Sequence, residues 1–159
     1  MIRPTLTALA VAVLALASTP AFAGTAEDAF LARLVGTWSG SGELTGAETG
    51  TVDCTMTIRN RSDGVNFRGK CDAGEFGPQS FSGTVGYNDE AARYEAKSPS
   101  GDVTLGVKEG SSVVFTITLK GIATGTSVMK LASNRAVIDT IVRKPGDKED
   151  IKSHMVLTK

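Results

Sequence analysis

Beyond Gly36, apolar and polar residues alternate along the chain with a period of two. Val and Thr are frequent in these stretches, and Gly, Asn, Asp or Pro interrupts them at short intervals. Such alternation is typical of antiparallel strands that bury one face and expose the other. After a glycine-rich stretch, the alternating segments cover residues 51–59, 65–71, 81–87, 93–97, 103–107, 113–119, 122–132, 136–143 and 151–159.

The connections between these segments are short, so each strand is predicted to pair with the next one along the chain. An open meander of about ten strands would leave two unpaired edges, and closure into a barrel removes them. We therefore predict an all-β fold, an up-and-down antiparallel β-barrel of about 8–10 strands. A β-sandwich is the alternative. No linker divides residues 24–159, which indicates a single β-barrel domain.

A helical period precedes the strands. Phe30, Leu31 and Leu34 fall on one stripe of a helix. Thr25 is a candidate N-cap, and Gly36 ends the pattern. The sequence therefore predicts a short N-terminal helix over residues 27–34.

Residues 1–23 have the three-part pattern of a secretory signal peptide. Arg3 gives a positive start, an apolar run follows from Leu6 to Ala17, and Ala21-Phe22-Ala23 is an A-x-A cleavage site. The apolar run is too short to span a bilayer, which needs roughly 20 residues. We predict a periplasmic or secreted mature chain with a Gram-negative type of signal and no transmembrane segment.

Cys54 and Cys71 are the two cysteines of the chain. A turn at residues 61–64 would place Ile58 opposite Phe67 and, on the same hairpin, Cys54 opposite Cys71. Directly opposed residues have Cβ atoms about 4.5–5.5 Å apart, which is near disulfide reach. Exported proteins also meet an oxidising compartment. Register and compartment together predict a Cys54–Cys71 disulfide.

A later hairpin turns at residues 109–111. With that turn, Val107 is expected to pair with Val113, and Leu105 with Phe115. This register places Leu105 and Phe115 together on the inward face.

The charges are balanced, with 17 Lys and Arg against 17 Asp and Glu. Nucleic-acid-binding proteins instead carry a strongly basic face, so we expect no nucleic-acid partner. Arg59, Arg61 and Arg68 cluster on one hairpin. We interpret this cluster as a solvated face, with an anionic partner as the alternative.

The segment from Leu34 to Gly40 reads LVGTWSG. A short helix, a G-x-W motif and a glycine-rich first strand resemble the start of the calycin superfamily, which includes lipocalins, fatty-acid-binding proteins and bacterial relatives. Gly36 and Trp38 match the two motif positions. The resemblance implies structural roles for both residues, with Trp38 packed under one end of a barrel. It also implies a barrel that closes around an apolar ligand or a segment of another protein.

Two groups within this resemblance imply other functions. Nitrobindin-like barrels bind haem through a late histidine, and His154 is the single histidine here. His154 alternates with the apolar positions of the last strand, so it is expected to face outward unless a bulge reverses the phase. Small periplasmic inhibitors of secreted metalloproteases also have a G-x-W start and a disulfide, and they insert an N-terminal segment into the protease.

The predicted inward positions are apolar but not bulky, and Gly69 and Gly83 fall among them. Such a barrel either holds one small ligand or is filled by its own side chains. The candidate ligand-lining residues are Met56, Ile58, Phe67, Phe81, Tyr94, Leu105, Phe115 and Ile138.

Catalytic signatures do not stand out. The chain lacks a G-x-S-x-G elbow and the G-K-[ST] end of a phosphate loop, and its Cys and His residues lack the spacing of a metal site. We therefore expect no catalytic residue, no metal, no cofactor and no enzyme activity. The sequence predicts an exported lipocalin-like protein that binds a small apolar ligand. The alternative is a periplasmic protein-interaction module, or a protease inhibitor, with an envelope protein as partner.

Overall fold

The computed structural model describes residues 24–74 and 77–159, and the predicted signal peptide, residues 1–23, lies outside them. These described residues form one helix and ten strands. In chain order the elements are α1 (Gly24–Leu34), β1 (Gly36–Gly46), β2 (Gly50–Arg61), β3 (Gly64–Asp72), β4 (Pro78–Asn88), β5 (Arg93–Lys97), β6 (Val103–Glu109), β7 (Ser112–Leu119), β8 (Ala123–Leu131), β9 (Arg135–Arg143) and β10 (Ile151–Thr158).

The ten strands form one closed antiparallel barrel. Each strand pairs with its sequence neighbours, and β1 pairs with β10 from Ser39 to Gly46. The predicted up-and-down barrel is therefore confirmed. The sandwich alternative is wrong because closure satisfies the backbone of the first and last strands, which two separate sheets would leave as edges.

Helix α1 closes one end of the barrel. It is helical from Gly24, the first described residue, so it includes residues before the predicted start at residue 27. The apolar stripe of Phe30, Leu31 and Leu34 is buried. The helix has 11 residues, and nowhere in residues 24–74 and 77–159 is a helix long and apolar enough to cross a membrane.

The best-buried side chains gather beneath this helix. They come from strand ends that meet at the same end of the barrel, because successive strands run in opposite directions. The most deeply buried of them are Trp38, Tyr94, Leu157, Val65 and Val113. The largest buried side chains therefore concentrate at the capped end, although Val52, Cys54 and Ile151 are also buried toward the other end.

The β2–β3 hairpin has the predicted register. Ile58 pairs with Phe67, and Cys54 pairs with Cys71. The two cysteines form a disulfide, with their Cα atoms 4.1 Å apart. The predicted Cys54–Cys71 bond is therefore confirmed, and it ties two adjacent strands of the wall together.

The β6–β7 hairpin has a different turn from the one predicted. Glu109 pairs with Ser112, which leaves only Gly110 and Ser111 in the turn. Gly110 has φ +60°, the value that the first central position of a type II′ turn requires. Two-residue turns of this type match the twist of the strands, so the tighter turn is favoured.

This turn shifts the pairing by one residue and reverses the faces of β6. Leu105 pairs with Thr116, and Gly106 pairs with Phe115. Because side chains alternate along a strand, a one-residue shift moves every side chain of β6 to the opposite face. The prediction that Leu105 faces inward is wrong. Leu105 lies on the outer surface at 37% exposure, between the exposed Val103 and Val107.

Replacement of Leu105 and of Phe115 distinguishes the two registers. We expect Leu105→Thr to change the free energy of unfolding by about 1 kcal/mol or less, because the residue is half-exposed and Thr suits a strand. Phe115→Ala should cost about 3 kcal/mol, because it removes an inward aromatic ring. Urea denaturation of both variants measures this, and equal destabilisation would contradict the observed register.

Reduction of the disulfide should lower the free energy of unfolding by about 2 kcal/mol, less than a bond between distant strands would, because the hairpin already brings the two cysteines together. Urea titrations with and without reductant test this. Mass spectrometry after alkylation provides the control: both cysteines should accept the label only after reduction, since no described cysteine is free. Labelling before reduction would contradict the bond.

Candidate ligand cavity inside the barrel

Trp38 holds helix α1 over the end of the barrel. Its side chain is 1% exposed, and its Nε1 donates a hydrogen bond of 2.7 Å to the carbonyl oxygen of Leu34. The Nζ of Lys159 donates to the carbonyl of Arg33 at 2.8 Å and lies 4.9 Å from the centre of the Trp38 ring. The last carbonyls of a helix lack partners within the helix. Trp38 and Lys159 therefore satisfy the end of α1 and fix it in place.

Gly36 forms the sharp connection between α1 and β1. Its φ is +142°, in a region that residues with a side chain rarely adopt. A Cβ at this position would lie 3.1 Å from Cε of Lys159. Gly36 thus lets the chain leave the helix and enter the barrel wall directly, with Trp38 pointing inward.

Below this cap the barrel contains a cavity of about 600 Å³. This volume is within the usual range for small-molecule sites, about 300–1,000 Å³. Its wall is almost entirely apolar. The lining residues are Leu34, Trp38, Met56, Ile58, Val65, Phe67, Phe81, Val85, Ala96, Thr104, Phe115, Ile117, Ser127, Met129, Ala136, Ile138 and Thr140.

Inward glycines give the aromatic rings of this wall their space. Phe67 pairs with Gly83, and Phe81 pairs with Gly69 on the same two strands. A Cβ at Gly83 would approach Cζ of Phe67 to 2.7 Å, so the ring lies directly over the glycine. The rings therefore lie against the wall and leave the middle of the barrel open, as the two inward glycines suggested.

Gly106 and Phe115 repeat this arrangement on β6 and β7. A Cβ at Gly106 would lie 2.6 Å from Cε1 of Phe115. The sequence analysis missed this pair because it placed Gly106 on the outer face. The two-residue turn, with glycine in its first central position, was the signal that could have revealed it.

The cavity reaches the surface beside Phe81. This residue lines the cavity and is nevertheless 38% exposed. Strand β5 is short and pairs with residues 84–88 of β4, and among residues 24–74 and 77–159 the first half of β4 has no strand partner on its β5 side. The difference in strand length therefore produces an opening in the wall.

Most of the predicted ligand-lining residues do line this cavity. The exceptions are Leu105, which lies outside the barrel, and Tyr94. The residues in the wall are Met56, Ile58, Phe67, Phe81, Phe115 and Ile138.

Tyr94 faces inward but belongs to the capped end. Its ring centre is 5.5 Å from that of Phe30 on α1 and 5.1 Å from that of Tyr87. Burial, and secondarily the carboxylate of Glu27, raises the pKa of Tyr94 well above its usual value. Within the described residues its hydroxyl has no hydrogen-bond partner. Tyr94 thus packs beneath the helix, because α1 occupies the level of the barrel that it faces.

Hydroxyl groups interrupt the otherwise apolar wall at two separate places. Ser127 pairs with Thr140 across β8 and β9, and their hydroxyl oxygens are 2.9 Å apart. Thr104 lines the cavity from β6. The sequence analysis did not identify these residues because β8 is weakly patterned. The turn at Ser133 and Asn134, followed by the strong β9 alternation, was the available signal.

His154 lies on the outer face of β10. Its Nδ1 is 2.6 Å from Oδ1 of Asp139, and 63% of its side chain is exposed. The register pairs His154 directly with Asp139, while Ser153 and Met155 on either side of it face inward. His154 therefore faces solvent, as the alternation predicted.

A polar groove of about 460 Å³ lies on the outer surface of β2–β5. Arg59, Arg68 and Lys97 contribute to it. The predicted arginine cluster is divided, because Arg61 forms an ion pair with Asp63 at 2.5 Å. The remaining arginines of the cluster thus line a surface groove that adjoins the apolar cavity at Phe67, which contributes to both.

The amino-acid sequence matches no family model and no curated protein. The fold matches 11 chains of solved structures. One is the S-type phycobiliprotein lyase CPES from Guillardia theta, with a TM-score of 0.69 and 13% sequence identity. The match covers 84% of this chain and 92% of the lyase chain. At this identity the similarity establishes a shared barrel fold.

The prediction that this chain is not an enzyme is contradicted by that comparison. It rested on the absence of familiar catalytic motifs and on the expectation that such a barrel only binds. A lyase is an enzyme, and the one from Guillardia theta has this barrel fold. Because function belongs to sites rather than to folds, the barrel itself gives no reason to exclude catalysis.

Trp38→Phe tests the cap. Phenylalanine retains most of the ring but cannot donate to the Leu34 carbonyl, so we expect a loss of about 2–4 kcal/mol from the free energy of unfolding. Urea denaturation should be followed by circular dichroism, since Trp38 is the only tryptophan. Thr37→Val, on the outer face of the same strand, is the control and should be near neutral. A Trp38→Phe barrel as stable as this control would contradict the proposed cap.

Proposed function

We propose that this protein binds a small apolar ligand inside the barrel. The cavity beneath helix α1 is the observation that supports it, with a volume of about 600 Å³ and a wall dominated by aliphatic and aromatic side chains. Removal of apolar surface from water provides the driving force, roughly 25 cal/mol per Å². The opening beside Phe81 provides an entry for the ligand.

In this proposal the ligand contacts the residues that form the middle of the barrel. Met56 and Ile58 supply one side of the site, and Phe67, Phe81 and Phe115 supply flat aromatic surfaces. Trp38 and Leu34 form the closed end of the cavity. The glycines beneath the rings keep the volume available for a ligand.

The proposed setting is the periplasm or the outside of the cell. The Cys54–Cys71 disulfide is consistent with an oxidising compartment. The signal-like pattern of residues 1–23 supports the same location. We propose accordingly that the protein is an exported, lipocalin-like member of the calycin superfamily. The G-x-W start and the closed barrel support this assignment.

The predicted alternatives have less support. A haem-binding barrel would need an inward histidine, and His154 faces solvent in a hydrogen bond with Asp139. A protease inhibitor of the kind considered would act through its N-terminal segment, and the described chain from Gly24 onward forms helix α1, whose apolar stripe is buried against the barrel. Binding within the cavity is therefore the function that the geometry supports best.

A blocked cavity tests this proposal. Ala96 lines the cavity with a minimal side chain, so Ala96→Phe should fill part of it. The uncharged fluorophore N-phenyl-1-naphthylamine should bind the unmodified protein at one saturable site and bind Ala96→Phe at least about tenfold more weakly. Val103→Phe adds a ring to the outer face of neighbouring strand β6 and should leave binding unchanged.

Circular dichroism melts must show that both variants remain folded. Absence of saturable binding to the unmodified protein would contradict the proposed function. Equal binding by Ala96→Phe and Val103→Phe would place the fluorophore outside the barrel.

A further inference from the structure

Three inward hydroxyl residues pair across adjacent strands of the wall, and two of them, Ser127 and Thr140, line the cavity. Ser127 on β8 pairs with Thr140 on β9, and Thr140 pairs in turn with Ser153 on β10. Ser127, Thr140 and Ser153 therefore form a row across three adjacent strands, on the inward phase of each. We call Ser127, Thr140 and Ser153 the hydroxyl row.

The hydroxyl row has unused hydrogen-bonding capacity. Each hydroxyl has one donor and two acceptor sites. The contact between Ser127 and Thr140, at 2.9 Å, uses one donor and one acceptor. In the described part of the chain it is the only side-chain hydrogen bond that either residue makes. One hydroxyl hydrogen of this pair is therefore available to an acceptor in the cavity.

The cavity offers no partner for a charged ligand group. None of the described lining residues has an ionisable side chain. Charged residues of the neighbouring strands, such as Lys97 and Arg68, lie in the groove on the outer surface instead. A buried carboxylate or ammonium would lose its hydration without gaining a counter-ion, which is strongly unfavourable.

The rest of the wall suits an extended apolar body. Phe67, Phe81 and Phe115 form its aromatic part and are supplied by β3, β4 and β7. The hydroxyl row comes from β8, β9 and β10, and its Ser127 pairs directly with Phe115 at the edge of the aromatic part. A ligand that contacts both would have a hydrocarbon portion and one neutral oxygen group.

We propose that the cavity selects an uncharged amphipathic ligand, a long-chain alcohol, ketone or ester, whose oxygen binds Ser127 and Thr140. This inference rests on the proposed binding function and adds the chemical class of the ligand. Selection against the corresponding acid follows from the absence of a cation in the wall. Ser127 and Thr140 determine specificity, and the aromatic wall supplies most of the affinity.

Two ligands of equal chain length test the proposed class. At pH 8, 1-decanol should displace N-phenyl-1-naphthylamine at least about tenfold more effectively than decanoate, which is ionised there. At pH 4 the acid becomes largely neutral, so its competition should approach that of the alcohol. The affinity of 1-decanol at both pH values controls for any change in the protein.

The double variant Ser127→Ala/Thr140→Val tests the residues. It removes both hydroxyls together, so neither is left without its partner. We expect 1-decanol to bind about three- to tenfold more weakly, while the fluorophore, which has no oxygen, binds as before. Ile141→Val, on the outer face of the same strand as Thr140, is the control and should leave both affinities unchanged.

The outcomes separate this inference from the function on which it rests. If the fluorophore, 1-decanol and decanoate all fail to bind, the proposed binding function is wrong, and the proposed ligand class is wrong as well. A different outcome is that decanoate competes as well as 1-decanol at pH 8, or that the double variant keeps the ratio of the 1-decanol and fluorophore affinities. Either result leaves the proposed binding function in place and shows that the proposed ligand class is wrong.

Discussion

The hydrogen bond from Trp38 to the carbonyl of Leu34 is the contact on which the cavity depends. It joins the first strand of the barrel to the last turn of α1, where carbonyl groups lack partners within the helix. The helix can therefore pack its apolar stripe over the barrel end without leaving a buried acceptor unsatisfied. Because α1 covers the end of the barrel without entering its middle, the largest buried side chains lie at that end and the middle of the barrel stays open.

The open middle also depends on how the wall is paired. A large aromatic ring that faces a glycine on the next strand lies flat over it, as Phe67 does over Gly83. The same rings opposite bulkier residues would extend into the centre and fill it. Strand register therefore sets the volume of the cavity as much as composition does, since it decides which ring meets which glycine.

Shared architecture leaves the chemistry of the cavity undetermined. The lyase from Guillardia theta has this fold at 13% identity, a level at which side chains in the interior are free to differ. What is particular to this chain is a wall without ionisable groups in its described lining, and with Ser127 and Thr140 in contact across two strands. The interior side chains, rather than the barrel, carry the argument about ligand class.

The sequence by itself determined the fold class, the pairing of Cys54 with Cys71 and the outward phase of His154. These follow from alternation and from turns, which are local properties of the chain. Only the tertiary structure decided the faces of β6, because one residue more or less in a turn reverses a whole strand and places Leu105 outside. It also assigned Tyr94 to the cap instead of the cavity, since the helix and the strands that surround this residue are distant in sequence. The hydroxyl row likewise depends on the register of the β8–β9 and β9–β10 hairpins, which the weak alternation of β8 does not determine.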